Sequence, residues 1–132
     1  MHRATFYNIG SADCIRIDLE NGRKLLFDYA HMGDPDDKDD LRCDLPRELR
    51  EDLGDREEYD VVVFTHLDND HYARATEFFY FEHIKKYQTE VDGVARIKMI
   101  EMWVPAAVIT EALSADADAE AKAIQKEARE RF

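Results

Sequence analysis

The stretch VVVFTHLDNDHYARA, residues 61–75, runs four apolar residues straight into two histidines and two aspartates. Val61 to Phe64 lie within YDVVVFTH (59–66), which reads as a strand apolar on both faces. That is the pattern of an interior strand covered by helices. His66, Asp68, Asp70 and His71 follow its C-terminal end, where open α/β sheets place their ligand sites. In a tight turn after a strand, side chains two apart can converge on one point. His offers a borderline nitrogen ligand and Asp a hard oxygen ligand. The pairs His66/Asp68 and Asp70/His71 therefore have the chemistry to serve two divalent metal ions. Two-metal sites activate water and clamp both oxygens of a displacement at phosphorus or carbon. A solvated polar turn is the plainer reading in a chain with 30 acidic residues, but it leaves the histidines at both ends unaccounted for.

Upstream, ATFYNI (4–9) reads as a short strand broken by Gly10 and Ser11, and CIRIDL (14–19) alternates with the period of a half-buried strand. Asn21-Gly22 is the strongest short hairpin signal, and KLLFDYA (24–30) is the return strand, so residues 4–30 form a small antiparallel meander. Residues 33–44 are acidic with Pro and Gly and read as a loop. DPDDKDD (34–40) lacks the EF-hand order of Gly at the sixth place and Glu at the twelfth. LPRELREDL (45–53) reads as a helix with Pro46 in its first turn, where the missing N–H costs nothing.

Downstream, ARATEFFYFEHIKKY (73–87) predicts a helix whose aromatic face, EFFYF (77–81), covers the sheet. ARIKMIEMWVP (95–105) alternates again and predicts a strand ending at Pro105, with Met99, Met102 and Trp103 as core packing. From about residue 106 the chain turns helical, and ADADAEAKAIQKEARERF (115–132) runs to Phe132 with no C-cap signal. The order of strands and helices predicts an α/β or α+β layered domain. The last helix is charged and reads as an element that stops without docking, as if residues 1–132 were the front half of a larger fold.

At 132 residues and 45% hydrophobic content the chain has room for one domain with a real core. Its formal net charge of −12 argues against a nucleic-acid surface spread over the whole chain, though not against a local basic groove or a basic partner. No apolar run approaches the roughly 20 residues of a membrane span, and MHRATFYNIGS lacks a signal-peptide core, so the expected compartment is the cytoplasm. Cys14 and Cys43 make no disulfide framework and read as free thiols.

THLDNDH (65–71) resembles the His-x-[His/Asp]-x-Asp-His signature of the metallo-β-lactamase fold hydrolases. FYNIGSADCIRIDLENGRKLLFDYA (6–30) resembles that family's opening meander, with Asp13 and Asp28 at its two aspartate positions. Asp at the third place of the signature is similar to the hydrolase domain of competence-type DNA-uptake channel proteins. The resemblance runs from residue 5 to about 105. It implies an αββα sandwich of which this chain is the N-terminal half.

It further implies two divalent metal ions, zinc or manganese. His66 and Asp68 would bind the first and Asp70 and His71 the second, with Asp70 also the catalytic, water-orienting carboxylate. Asp68 in place of a histidine hardens the first site and tilts it toward manganese. Asp28 would orient the metal-binding loop from behind the ligands; its plainer reading is a strand-end Asp capping a turn. Asp13 stands equally between those two readings.

The implied activity is metal-dependent hydrolysis, with nuclease action on phosphodiesters first and hydrolysis of a small ester, lactone or thioester second. A third reading is a non-catalytic half that binds a partner. The sequence departs from the family after His83, beyond which it has no histidine. Asp92, Asp116 and Asp118 do not follow the strand pattern of a bridging ligand. His83 reads as a helix-surface or core residue, His31 as an outside candidate for the site, and His2 as terminal. A second chain, or a C-terminal half, is therefore expected to complete the site.

Overall fold

A computed structural model describes residues 1–132. Three short strands open the chain: β1 (Arg3–Phe6), β2 (Ile15–Asp18) and β3 (Lys24–Phe27), paired antiparallel in sequence order. The β2–β3 hairpin turns at Asn21-Gly22, where Gly22 takes φ 87° and donates its N–H to the Leu19 carbonyl at 3.0 Å. A side chain is disfavoured at that φ, so the turn selects glycine. The acidic loop closes on itself: Asp34 and Asp37 each accept from a backbone N–H two residues on, and Asp40 binds Arg42. Helix α1 (Leu45–Leu53) spans the predicted residues, and Leu45, Leu49 and Leu53, four apart, bury one face of it.

Strand β4 (Glu58–Val63) leads into two single turns, α2 (Asn69–Tyr72) and α3 (Ala75–Phe78). A small hairpin, β5 (Glu90–Val91) and β6 (Val94–Ala95), precedes β7 (Lys98–Trp103), α4 (Ala106–Thr110) and α5 (Ala119–Arg131). The main sheet has the order β1-β2-β3-β4-β7, and β4 runs parallel to both its neighbours. The C-terminal ends of β3, β4 and β7 thus share one edge of a mixed α/β sheet, with β4 interior, and the motif begins there. No helix is long and apolar enough to cross a membrane. Cys14 and Cys43 are free thiols.

The two faces of the sheet differ. One supplies Leu26 and Val62 to a core shared with Leu49, Phe64, Phe79 and Ile124. The other carries two rows of cross-strand partners: Phe6, Ile15, Phe27, Val63 and Trp103, then Ala4, Ile17, Leu25, Val61 and Glu101. None of these ten belongs to the core cluster, and Phe6 and Trp103 are 75% and 49% exposed. Val61 and Val63 in the middle of this face are buried, and its exposure is concentrated at Phe6 and Trp103; large exposed apolar patches are unusual in a monomer. We expect the double substitution Phe6→Ser and Trp103→Ser to reduce binding of a hydrophobic dye and any self-association. Stability should change by no more than about 0.5 kcal/mol per site. A parent chain that sediments as a monomer and binds no dye would contradict this description of the face.

Three expectations are corrected. The helix predicted over 73–87 is confined to Ala75–Phe78. Arg74 sits in the left-handed region (φ 60°), and Phe79 is already extended, pairing as an isolated bridge with Ile97. The aromatics decide this: Phe78 stacks on Tyr29, Phe79 meets Phe64 edge-on, and Phe81 lies against Tyr87. Phe78, Phe79 and Phe81 would point in divergent directions on a helix, whereas an irregular path buries all three. Trp103 is not core: it stands half-exposed on the open face with its Nε1–H donated to Glu101 at 3.0 Å, while Met99 is buried. The C-terminal helix does dock. Asp118 caps α5 by accepting from Ala121 N–H at 2.9 Å, and Ala121, Ala123, Ile124 and Ala128 are buried.

Candidate metal centre

Asp28 organises the strand end. It follows β3, adopts φ 59°, and keeps its side chain 6% exposed. The left-handed conformation is costly for a residue with a Cβ, and such strain persists where its surroundings fix it. Here the Asp28 N–H donates to the Val63 carbonyl at 2.7 Å, locking it to the end of β4. Its Oδ1 accepts from Thr65 N–H at 2.7 Å, and its Oδ2 accepts from the Thr65 hydroxyl at 2.5 Å. Oδ2 also lies 3.0 Å from His71 Nδ1.

The proton positions follow from the partners. A carboxylate can only accept, so His71 carries its proton on Nδ1 and gives it to Asp28. The Thr65 hydroxyl spends its one hydrogen on Asp28 and is left with acceptor capacity. His66 Nδ1, 3.1 Å from Thr65 Oγ1, therefore donates to it. In their neutral forms both histidines are thus held in the Nδ1–H tautomer, His71 directly and His66 through Thr65, with the Nε2 lone pairs left free. The two rings lie 4.7 Å apart, centre to centre.

The other candidates fall as follows. Asp70 Oδ1 stands 3.8 Å from His71 Nε2, on its free side. Asp68 precedes α2 but makes no capping bond, so its exposed carboxylate is uncommitted. Asp13 is brought in by its backbone N–H, which donates to the Asp70 carbonyl at 3.1 Å; its Oδ2 is 3.7 Å from His71 Nδ1. Burial pulls the His71 imidazole down, but the Asp28 hydrogen bond and the charges of Asp28, Asp70 and Asp13 outweigh it and raise its pKa above the ordinary value.

His71 lies beside both His66 and Asp70, but the motif does not gather three ligand atoms within 4.8 Å; the residues that do are Glu82, His83 and Glu127. That second cluster already holds a cation, because Arg131 Nε lies 2.7 Å from Glu127 Oε2. His83 sits on a turn against Glu127, at 2.7 Å. His31 lies apart from the motif side chains: its N–H donates to the Ala73 carbonyl and its ring lines another cavity, with Arg50 and Arg74. His2 accepts from Glu20 N–H on the surface. Asp118 caps α5 and accepts from the Tyr72 hydroxyl at 3.0 Å, while Asp92 occupies the β5–β6 turn.

Thr65 is the residue of this cluster that the motif itself does not mark. Its signal was position: a hydroxyl immediately before the first histidine. Beside His66 a cavity of about 280 Å³ opens, walled by Leu67, Pro105, Val108 and Leu113, with Glu111 as its sole charged lining residue. Compared with protein-family models, curated proteins and solved structures, the chain finds no significant match.

Proposed function

We propose that this chain carries the first half of a two-metal hydrolase site in a metallo-β-lactamase-like αββα sandwich. The observation that carries the reading is the Asp28–Thr65 cradle, which turns the Nδ1 atoms of both motif histidines inward and leaves both Nε2 atoms free. A carboxylate behind a histidine is the usual outer partner of a metal ligand, fixing tautomer and ring orientation. Zinc or manganese would be held by His66 and Asp68 at one position and by Asp70 and His71 at the other. When bound, such ions supply an activated water and polarise a scissile ester. Asp70, beside His71 Nε2 and partly exposed, would orient that water.

The sandwich reading rests on the apolar second face of the sheet, which calls for a covering layer. In this proposal a second chain or C-terminal half supplies that layer and the missing ligands, and residues 1–132 alone are nearly inactive. Phosphodiester cleavage, as in a nuclease, is the first candidate activity. The apolar walls beside His66, with no lysine or arginine among them, favour a small ester, lactone or thioester as the second.

The test is titration of the chain with Mn²⁺ and Zn²⁺ by calorimetry. His71→Ala should weaken binding by one to two orders of magnitude, and Thr65→Val, which keeps shape but removes the hydroxyl, by about tenfold. Unchanged affinity in both variants would sink the metal reading. With the covering half present, chelator should abolish hydrolysis of a phosphodiester. Turnover of lactones alone would move the assignment to the second candidate.

A further inference from the structure

The chain carries 30 acidic residues against 18 basic ones, yet the only charged residues lining one of its grooves are lysines. The groove lies between the 84–87 turn and α5 and holds about 480 Å³. Ile84 and Ala123 are buried along it and Tyr87 is half-buried, while Lys86, Lys122 and Lys126 are exposed. Lys122 and Lys126 stand one turn apart on the same face of α5. Lys86 comes from the opposite wall, its Nζ 5.0 Å from the centre of the Tyr87 ring. None of the three forms an ion pair; Lys24, bound to Asp18, is the chain's one paired lysine.

The acids nearby are spent elsewhere. Asp118 accepts from the Ala121 N–H and the Tyr72 hydroxyl, and Glu120 accepts from the Thr76 N–H and hydroxyl. Glu127 is bound by His83 and Arg131, and Glu82 lies 3.4 Å from Arg131. Glu130 lines a different cavity, beside Trp103. Like charges four residues apart destabilise a helix, so the pair on α5 calls for an anion from outside the chain. Ammonium groups on flexible stems act as point charges, which suits the spaced phosphates of a backbone. The groove also reaches the motif loop. It begins at Ala119, next to the Asp118 that accepts at 3.0 Å from Tyr72, the residue after His71.

We propose that this groove holds the phosphate backbone of a nucleic-acid strand whose scissile bond lies at the metal centre. The proposal rests on the phosphodiester reading of that centre and favours it over the small-ester one. It places on α5 the local basic groove that a net charge of −12 leaves room for.

The probe is a labelled oligothymidylate, titrated with the full chain in EDTA and followed by fluorescence anisotropy. Saturable binding is expected, with affinity falling as salt rises. Three neutralised phosphates give a log–log salt slope of about −2. The double substitution Lys122→Glu and Lys126→Glu should weaken binding at least about tenfold and flatten that slope. Lys38→Glu with Lys98→Glu changes the net charge equally, away from the groove, and should stay within about threefold of the parent. Lys86→Glu, on the opposite wall, repeats the test outside the helix and should also weaken binding. No saturable binding, or equal losses in the two double variants, would overturn the proposal. So would tripolyphosphate displacing the oligonucleotide at equal phosphate concentration, which would make the ligand a compact phosphate. Binding of Mn²⁺ and Zn²⁺ is titrated without nucleic acid, so a failure here stays distinct from a failure of the metal reading.

Discussion

Asp28→Ala is expected to destabilise the chain by about 3–5 kcal/mol, more than any other single change at the strand end. The carboxylate accepts three hydrogen bonds there, from Thr65 N–H at 2.7 Å, the Thr65 hydroxyl at 2.5 Å and His71 Nδ1 at 3.0 Å. Truncation leaves those donors without a partner in a place where the Asp28 side chain is only 6% exposed, and each orphaned donor costs roughly 1–3 kcal/mol. Alanine must also adopt φ 59°, which adds on the order of 1 kcal/mol.

Asp28→Asn separates the two contributions. Asparagine tolerates the left-handed backbone and keeps one acceptor oxygen for Thr65 N–H, but the NH2 that replaces Oδ2 can accept from neither the hydroxyl nor His71. It should lose about half as much stability as alanine and still release both histidines from their tautomers. Metal affinity should then fall some 10- to 100-fold in either variant. Urea unfolding of the two variants beside the parent is the measurement. A loss below about 0.5 kcal/mol for Asp28→Ala would mean that the cradle does not hold the strand end.

Much of this site was legible because its determinants are local. An apolar run followed by polar residues two apart fixes a strand and what lies at its end. Asn21-Gly22 fixes the hairpin that returns the chain so that Asp28 meets the end of β4. Thr65 was legible as a letter but not as a role, because its importance comes from Asp28, 37 residues earlier, and only the folded chain shows that pairing. His31 was drawn toward the site by its closeness to Asp28 in sequence. In the fold, residues 29–31 run beside 71–73, and the His31 ring enters a different cavity.

Residues 73–87 misled for another reason. Composition favours a helix there, but burying three aromatics on divergent sides overrides local preference. Trp103 misled through its strand. Alternation along β7 gave a face, but not whether anything covers it.

The docked C-terminal helix leads to the other large effect. Glu127 on α5 has no exposed surface, yet it carries a carboxylate. Its Oε1 accepts from the His83 N–H at 2.9 Å, and its Oε2 accepts from His83 Nδ1 and Arg131 Nε, both at 2.7 Å. Arg131 in turn donates to the Met99 carbonyl at 3.0 Å, so one carboxylate ties α5 to the 81–84 turn and to β7. Burial alone would raise the Glu127 pKa, but the hydrogen bonds from His83 and Arg131 outweigh it and hold it below the ordinary value.

A carboxylate depressed on folding contributes stability above its unfolded pKa, near 4.3, and loses it as pH falls through the lower folded value. Glu127→Ala should therefore cost about 3–5 kcal/mol at pH 7, because Arg131 and His83 keep their polar groups and lose their acceptor. The deficit should shrink as acid removes the parent's advantage, so the two stability curves converge below about pH 4. Glu127→Gln keeps an acceptor for the His83 N–H and should fall between parent and alanine. The measurement is urea unfolding at pH 7, 4 and 2.5. A constant difference between parent and Glu127→Ala across that range would show that the buried carboxylate is not the charge that holds α5 in place.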